Sequence, residues 1–263
     1  MIQIYLFHIK ILSIWWISTI NFELSKLTEW FQANRLSINF KKSNLMIFKP
    51  RQMRKTFDIS ITLSNHSIDR VNETVYLGVI IDANLSWKPH IANVARKVSK
   101  SLGIIFKSSF YLPKSSLITL YYTLIYPHRF YCVNIWGSTY ITNLQRIVIL
   151  QKQSIRIICK SSFDAHTDSL FKELRILKFM DICRFQIGKI MYQYKAGLLP
   201  KCFDNIFLET NQVHGYNTRS SKSFYIFSCR TNIRQFSIRF QVPKFFNSLS
   251  NDIKTSISIF LYI

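Results

Sequence analysis

Residues 89–107 read Pro-His-Ile-Ala-Asn-Val-Ala-Arg-Lys-Val-Ser-Lys-Ser-Leu-Gly-Ile-Ile-Phe-Lys. Set at helical period from Ile91, the side chains of Val94, Ala95, Val98, Leu102 and Ile105 fall within about 60° of it, while Arg96, Lys97, Lys100 and Lys107 fall on the opposite side. Pro89 suits the first turn of such a helix, where its missing N–H is not needed, and Ser86 is placed to cap it. One face is core and the other is a row of cations. A chain built from such segments is helical, and its partner carries phosphate.

Downstream, the same pattern returns from about Tyr140 to Cys159. Leu144, Ile147, Val148, Ile155 and Ile158 gather on one face there, and Arg146, Lys152, Arg156 and Lys160 lie off it. Between the two segments runs an aromatic stretch, residues 115–136, containing Tyr121, Tyr122, Tyr126, Phe130, Tyr131 and Trp136. Its helical setting predicts core packing for these rings, and Pro127 predicts a break into two helices. A third helical segment is expected over residues 170–196, with Leu170, Leu174, Leu177, Ile182 and Ile190 as core and Pro200 as its stop. Residues 214–219 (HGYNTR) and 223–247 read as loops and short strands.

Upstream, the pattern changes to β-type alternation. Residues 58–63 and 74–81 suit strands of a small antiparallel sheet, with Gly78 marking a bulge or a close backbone approach. Residues 45–48 (Leu-Met-Ile-Phe) read as a short buried strand, and residues 49–55 as a basic loop. Before them, Ile20, Leu24, Leu27 and Phe31 recur at helical spacing, predicting an amphipathic helix over residues 19–36.

Charge supports the reading of the first segment. No acidic residue occurs between Asp82 and Asp164, although that stretch carries many lysines and arginines. The whole chain has 35 Lys and Arg against 13 Asp and Glu, a formal charge of +22. A field of one sign that nothing nearby cancels is the footprint of a nucleic-acid binder, and a solvated face ordinarily mixes signs. With 263 residues and 48% hydrophobic content, the chain has ample apolar surface for a folded core, which excludes disorder throughout. Only six Gly and six Pro argue against a turn-rich all-β fold.

The five cysteines, Cys132, Cys159, Cys183, Cys202 and Cys229, form no CxxC pair and no zinc-ligand spacing, so they are expected to be buried thiols in a reducing compartment. Residues 1–20 are strongly apolar but have Lys10 at their centre and Trp15 and Trp16 after it. Neither the charge order of a signal peptide nor a clean membrane span is present. The alternative reading is nonetheless a small basic membrane-anchored protein that inserts residues 2–20 and uses its charge on anionic lipid.

Four segments, in order, resemble the carboxy-terminal half of the reverse transcriptase of non-LTR (LINE, jockey-like) retrotransposons. They are residues 27–43 (Leu-Thr-Glu-Trp-Phe-Gln-Ala-Asn-Arg-Leu-Ser-Ile-Asn-Phe-Lys-Lys-Ser), then Tyr76-Leu-Gly-Val79 with Ile81-Asp82. After these come residues 85–91 (Leu-Ser-Trp-Lys-Pro-His-Ile), and then Tyr126-Pro127 leading to Ile135-Trp-Gly137. Ser169-Leu-Phe171, residues 214–219 and Phe246-Asn-Ser-Leu249 resemble the same family's tail. The resemblance implies an α+β, mainly helical fold in which a residual palm β-hairpin precedes a helical thumb. It divides the chain into a non-matching residues 1–20, a palm end over 21–84, a thumb-like 85–165 and an extension over 166–263. It also implies that Asn39-Phe-Lys-Lys42 is the palm's Asn-x-x-Lys element, with Lys42 near nucleotide phosphates, and that Tyr76 and Gly78 belong to a primer grip.

In that family two Mg²⁺ held by palm carboxylates carry phosphoryl transfer. Here nothing acidic precedes Glu23, and no Asp-Asp or Asp-x-Asp occurs in the sequence. The expectation is a truncated polymerase without cofactor or metal of its own. It would be inactive alone and would retain primer–template holding on an RNA–DNA or DNA duplex, without sequence preference, inside the cell in nucleus or cytoplasm. Its contacts would be Lys42, Tyr76, Gly78, Arg96, Lys97, Lys100, Lys107, Arg146, Lys152, Arg156 and Lys160. For Lys42 and Gly78 the plainer readings are a solvated lysine and a bulge glycine, and Trp87 and His90 are expected to pack and cap.

Overall fold

The computed structural model describes residues 14–49, 61–63, 66–213, 223–250 and 252–254, without the side chains of 14–17 and 41. Residues 1–13, the basic loop beyond Lys49, the start of the 58–63 segment and the 214–219 motif lie outside them. The chain divides into two compact units, residues 1–86 and 87–263. The architecture is α+β and mainly helical, as expected.

The first unit opens with α1, Ile14–Ala33, which begins earlier than the period from Ile20 suggested. It ends in a reversal built on Arg35, whose φ of 54° is left-handed. Arg35 N–H donates to the Gln32 carbonyl and Leu36 N–H to that of Phe31, the paired bonds of a Schellman cap. The strands are short. Asn44–Leu45 (β1) pairs in parallel with Asp69–Arg70 (β4), and Thr62–Leu63 (β2) pairs with His66–Ser67 (β3). The expected buried strand over 45–48 is therefore reduced to its first residue, and Phe48 is exposed.

Glu73–Tyr76 (β5) and Val79–Asp82 (β6) form an antiparallel hairpin in which Tyr76 faces Val79. The segment read as one strand over 74–81 is thus two strands around a two-residue turn. Leu77 and Gly78 both have positive φ, 47° and 78°, the signature of the tight turn that matches strand twist. Gly78 is a turn glycine here, not a bulge.

The second unit is helical among its described residues. Lys88–Ser108 (α2) buries His90, Ile91, Val94, Ala95, Val98, Ser101 and Ile105. Ile141–Ile158 (α6) buries Leu144, Ile147, Leu150, Gln151, Ser154, Ile155 and Ile158. These faces pack on each other, and each large aliphatic side chain so buried contributes about 1.5–3 kcal/mol over leaving it in water. The residue preceding α2 is Trp87, in the left-handed region, instead of the expected Ser86.

Pro127 does not break the aromatic stretch. Lys114–Leu120 (α3) runs through a wide turn, Tyr121–Ile125, into Tyr126–Phe130 (α4), and Tyr126 N–H donates to the Tyr121 carbonyl. A turn widened to i→i+5 bonding accommodates a proline that has no N–H and would crowd the carbonyl four residues back. Ser101 of α2 donates to the Leu124 carbonyl at 3.1 Å within this turn. The break falls instead at Tyr131 and Cys132, before Val133–Trp136 (α5).

Trp136 is fully buried. Its Nε1–H donates to the Tyr131 carbonyl at 2.9 Å, and its ring stacks on Phe179 at 5.7 Å. At Gly137 a Cβ would lie 2.5 Å from the Val133 carbonyl oxygen and 2.9 Å from Cys183 Sγ. Only glycine fits that contact, which gives the Ile135-Trp-Gly137 motif a packing reason.

The expected helix over 170–196 is two. Thr167–Glu173 (α7) ends at Arg175, φ 52°, in the same doubly bonded reversal as α1, and Phe179–Lys195 (α8) follows. Leu177 falls between them and is exposed instead of core. Thr210–Val213 (α9) and Asn232–Gln235 (α10) are single turns.

Residues 238–247, read as loop or strand, are a helix, Ile238–Asn247 (α11), with Pro243 inside it. Val242 and Phe246, four residues apart, bury against Ile187, Ile190 and Met191 of α8 in a second core. Asn247 then pins the chain: its Oδ1 accepts Phe224 N–H at 3.0 Å and its Nδ2 donates to Phe224 O at 2.8 Å.

Cys183 is buried and its thiol is pushed up to about 12, chiefly by desolvation. Cys202 is exposed, contrary to expectation, and Cys132, Cys159 and Cys229 are half-buried.

Candidate nucleic-acid interface

Three expected site residues lie in the first unit. Lys42 closes a single helical turn, Phe40–Lys42, and is exposed. Tyr76 is the half-buried last residue of β5, and Gly78 is exposed in the hairpin turn.

The others lie in the second unit, where tertiary packing sorts them. Arg96, Lys97, Lys100 and Lys107 are exposed on α2. Arg96, Lys100 and Lys107 share one line along the helix, since steps of four and seven residues return to nearly the same angle. Among the described residues none of the four forms an ion pair; Arg96 Nη2 donates to Asn93 Oδ1 at 2.7 Å.

Some of the other cations of the acid-free run lie near carboxylates from its far side. Lys114 pairs with Glu173. Lys178 binds Asp168 at 2.9 Å, and this bond, with Lys152 as a lesser neighbour, holds the Asp168 carboxyl below its usual range. Asp164 is likewise lowered, first by the Ser162 hydroxyl and further by Arg156. Arg156 is also half-buried and spends its Nε–H on the Ala165 carbonyl at 2.9 Å. Arg146 is exposed, and Lys160 is exposed in a left-handed conformation after α6. Like the four α2 cations, Arg146 and Lys160 form no ion pair among the described residues.

Composition did not reveal Arg129. It lies in the aromatic stretch, fully buried, with its guanidinium 5.2 Å from the Tyr121 ring centre and donating to the Tyr121 hydroxyl. Gln151 extends the network, donating to Tyr121 Oη at 3.1 Å and Leu177 O at 2.8 Å while its Oε1 accepts Phe179 N–H at 2.7 Å. Tyr121 and Trp136 are core, as the helical setting implied, whereas Tyr122 and Tyr131 are exposed. The buried His90 sets its edge on Trp136 at 5.4 Å, and desolvation, with Lys97 as a second cause, pushes its pKa down.

The 13 acidic residues contain no Asp-Asp or Asp-x-Asp, and among the described residues no three His, Cys, Asp or Glu side chains are grouped to hold a metal. No helix among the described residues is long and apolar enough to cross a membrane; residues 2–13 of the insertion segment expected over 2–20 lie outside them.

No family model matches the chain, and no solved structure matches it. Curated proteins do. It is 23% identical over 160 residues to a probable RNA-directed DNA polymerase from transposon X-element of Drosophila melanogaster, covering 59% of this chain and 17% of that protein. It is 23% identical over 128 residues to the RNA-directed DNA polymerase from mobile element jockey of Drosophila funebris, covering 47% and 14%. A probable RNA-directed DNA polymerase from transposon BS of Drosophila melanogaster matches at 23% over 159 residues, 58% of this chain and 17% of the relative. The chain thus spans less than a fifth of the length of these relatives, and over about half of itself it is similar to the RNA-directed DNA polymerases of jockey-like non-LTR mobile elements.

Proposed function

We propose that this chain is a reverse-transcriptase segment of a non-LTR mobile element whose role is to hold a primer–template duplex through the cationic face of α2. The observation that carries this reading is that Arg96, Lys97, Lys100 and Lys107 project from one exposed face and form no ion pair among the described residues. Phosphate contacts of this kind position a duplex and read no sequence. Arg96 to Lys107 spans about 16 Å of helix axis, the rise of about five nucleotides of one duplex strand. Lys42 and the Tyr76–Gly78 hairpin belong to the same reading as primer-side contacts. Lacking paired carboxylates to clamp two metals, the chain by itself transfers no nucleotide.

The test is anisotropy of a labelled RNA–DNA hybrid and of duplex DNA titrated with the protein at several salt concentrations. Each phosphate contact contributes about 0.9 to the slope of log affinity against log salt, so four contacts predict a slope near about −3.6. Binding indifferent to salt, or no binding at low salt, overturns the reading. Primer extension by the isolated chain with Mg²⁺ would overturn its catalytic half.

A further inference from the structure

The last turns of α2 and α6, with the loops after them, enclose a cleft of about 580 Å³, well within the range of about 300–1,000 Å³ for ligand sites. Its walls carry Phe106, Phe110, Ile157 and Phe163 beside Arg156 and Lys160, and no acidic residue lines it. The rings are left in water: Phe110 is 69% exposed and Phe163 81%, although aromatic side chains of this size ordinarily bury. Phe106 and Phe110 meet edge to face at 5.3 Å.

The backbone builds this wall deliberately. Lys160 adopts the left-handed conformation, φ 52°, and Ser161 N–H donates to the Arg156 carbonyl at 3.0 Å, so the chain turns back on α6. That reversal returns Phe163 to Arg156, whose guanidinium carbon sits 6.0 Å from the ring centre. The bond from Arg156 Nε to Ala165 holds the guanidinium beside the cleft and leaves both Nη groups unengaged among the described residues.

Charge decides what such a surface accepts. A second copy of a chain with net charge +22 is repelled from a cleft whose charged lining residues are both cations, and an apolar helix would leave Arg156 and Lys160 desolvated and unpaired. An aromatic ligand that carries negative charge satisfies both halves of the lining. We propose that the cleft binds an unpaired base of single-stranded nucleic acid, stacked on Phe110 and Phe163, with its flanking phosphates on Arg156 and Lys160. Stacking on exposed rings along a cationic groove is the physics of sequence-tolerant single-strand binding. This goes beyond duplex holding, which rests on the α2 cations and does not involve Phe110 or Phe163.

The experiment uses the full chain and a short single-stranded oligonucleotide carrying one fluorescent adenine analogue, with a blunt duplex of the same sequence as comparator. Phe110→Ala and Phe163→Ala should each weaken single-strand binding about five- to hundredfold and remove the quenching of the analogue, while leaving duplex affinity unchanged. Phe163→Tyr should retain both. Both rings being exposed, melting curves of the variants should match the parent, which separates a lost site from a lost fold. Arg96→Gln with Lys100→Gln should do the reverse, weakening the duplex while quenching persists, so the two readings fail separately. Unchanged single-strand affinity in the alanine variants, equal loss for duplex and single strand, or concentration-dependent self-association abolished by Phe163→Ala would each overturn the assignment.

Discussion

Arg129 and Tyr121 are both fully buried, and the guanidinium Nη2 of one donates to the phenolic oxygen of the other across the widened turn that accommodates Pro127. Arg129 Nε and Nη1 have no hydrogen-bond partner among the described residues, and desolvation lowers the arginine's pKa. A buried cation without a carboxylate is an expensive way to fill a core, because its desolvation is offset only by one hydrogen bond and the Tyr121 face. Arg129→Met, which keeps the packing volume, should therefore leave stability unchanged or raise it by about 1–3 kcal/mol in urea unfolding. Tyr121 keeps its bond from Gln151 in that variant. A loss above about 2 kcal/mol would mean that the guanidinium is satisfied by something other than the described residues.

The division of the cations into compensated and uncompensated groups predicts unequal effects on duplex binding. Neutralising Arg96, Lys100 and Lys107 together to Gln should lower the salt slope by about three units of contact, roughly 2.7 in slope. Neutralising Lys114 and Lys152, which lie beside Glu173 and Asp168, should change it by less than about one. Equal changes in the two sets would show that sequence charge alone, and not its placement, governs binding.

Helix ends supply a stability test. α8 closes on Gly197, φ 65°, whereas α7 closes on Arg175 in the same geometry. A side chain in the left-handed region costs about 1–2 kcal/mol that glycine does not. Arg175→Gly should stabilise the chain by about 1 kcal/mol, less the few tenths that a cation contributes at a helix C-terminus. Gly197→Ala should destabilise it by a similar amount. The urea midpoints of the two variants should move in opposite directions.

Acid should weaken the fold through His90. Its pKa is lowered from 6.5 by burial first and by Lys97 second, so the folded protein holds it neutral where the unfolded chain takes up a proton. The stability this neutrality represents is full above about pH 6.5 and is lost as pH falls from there through the lowered folded value. His128 is shifted in the same direction for the same causes and adds to the effect. In His90→Phe, which preserves the ring contact with Trp136, stability measured from about pH 7 to 5 should fall less steeply, by up to about 1.4 kcal/mol per pH unit. An unchanged acid limb would place its origin elsewhere.

The physics of which signals are local explains what could be read early. Hydrophobic period is local, so the buried faces of α2 and α6 follow the apolar positions that recur from Ile91 and from Leu144. Helix ends are local only when a glycine or proline marks them. Arg35, Lys160 and Arg175 reverse their helices in a conformation that sequence assigns to glycine, so the stop between α7 and α8 was invisible. Pro127 misled in the opposite sense, because it sits at a widened turn, and the helix over residues 238–247 went unread because its Val242 and Phe246 are held by α8 across the core.

By itself the sequence determined the helical class, the strongly positive charge and the resemblance to jockey-like polymerases, since composition, period and ordered motifs need no third dimension. It also shows that no Asp-Asp or Asp-x-Asp occurs. Only the tertiary structure decided which cations lie beside a carboxylate and which do not. Acidic side chains remote along the chain return to Lys114 and Lys152 but not to Arg96, Lys97, Lys100 or Lys107, and Coulomb energy depends on distance in space, not along the chain. The tertiary structure also decided that Arg129 is a core residue and that Phe110 and Phe163 are not, because burial is set by what packs across from a side chain.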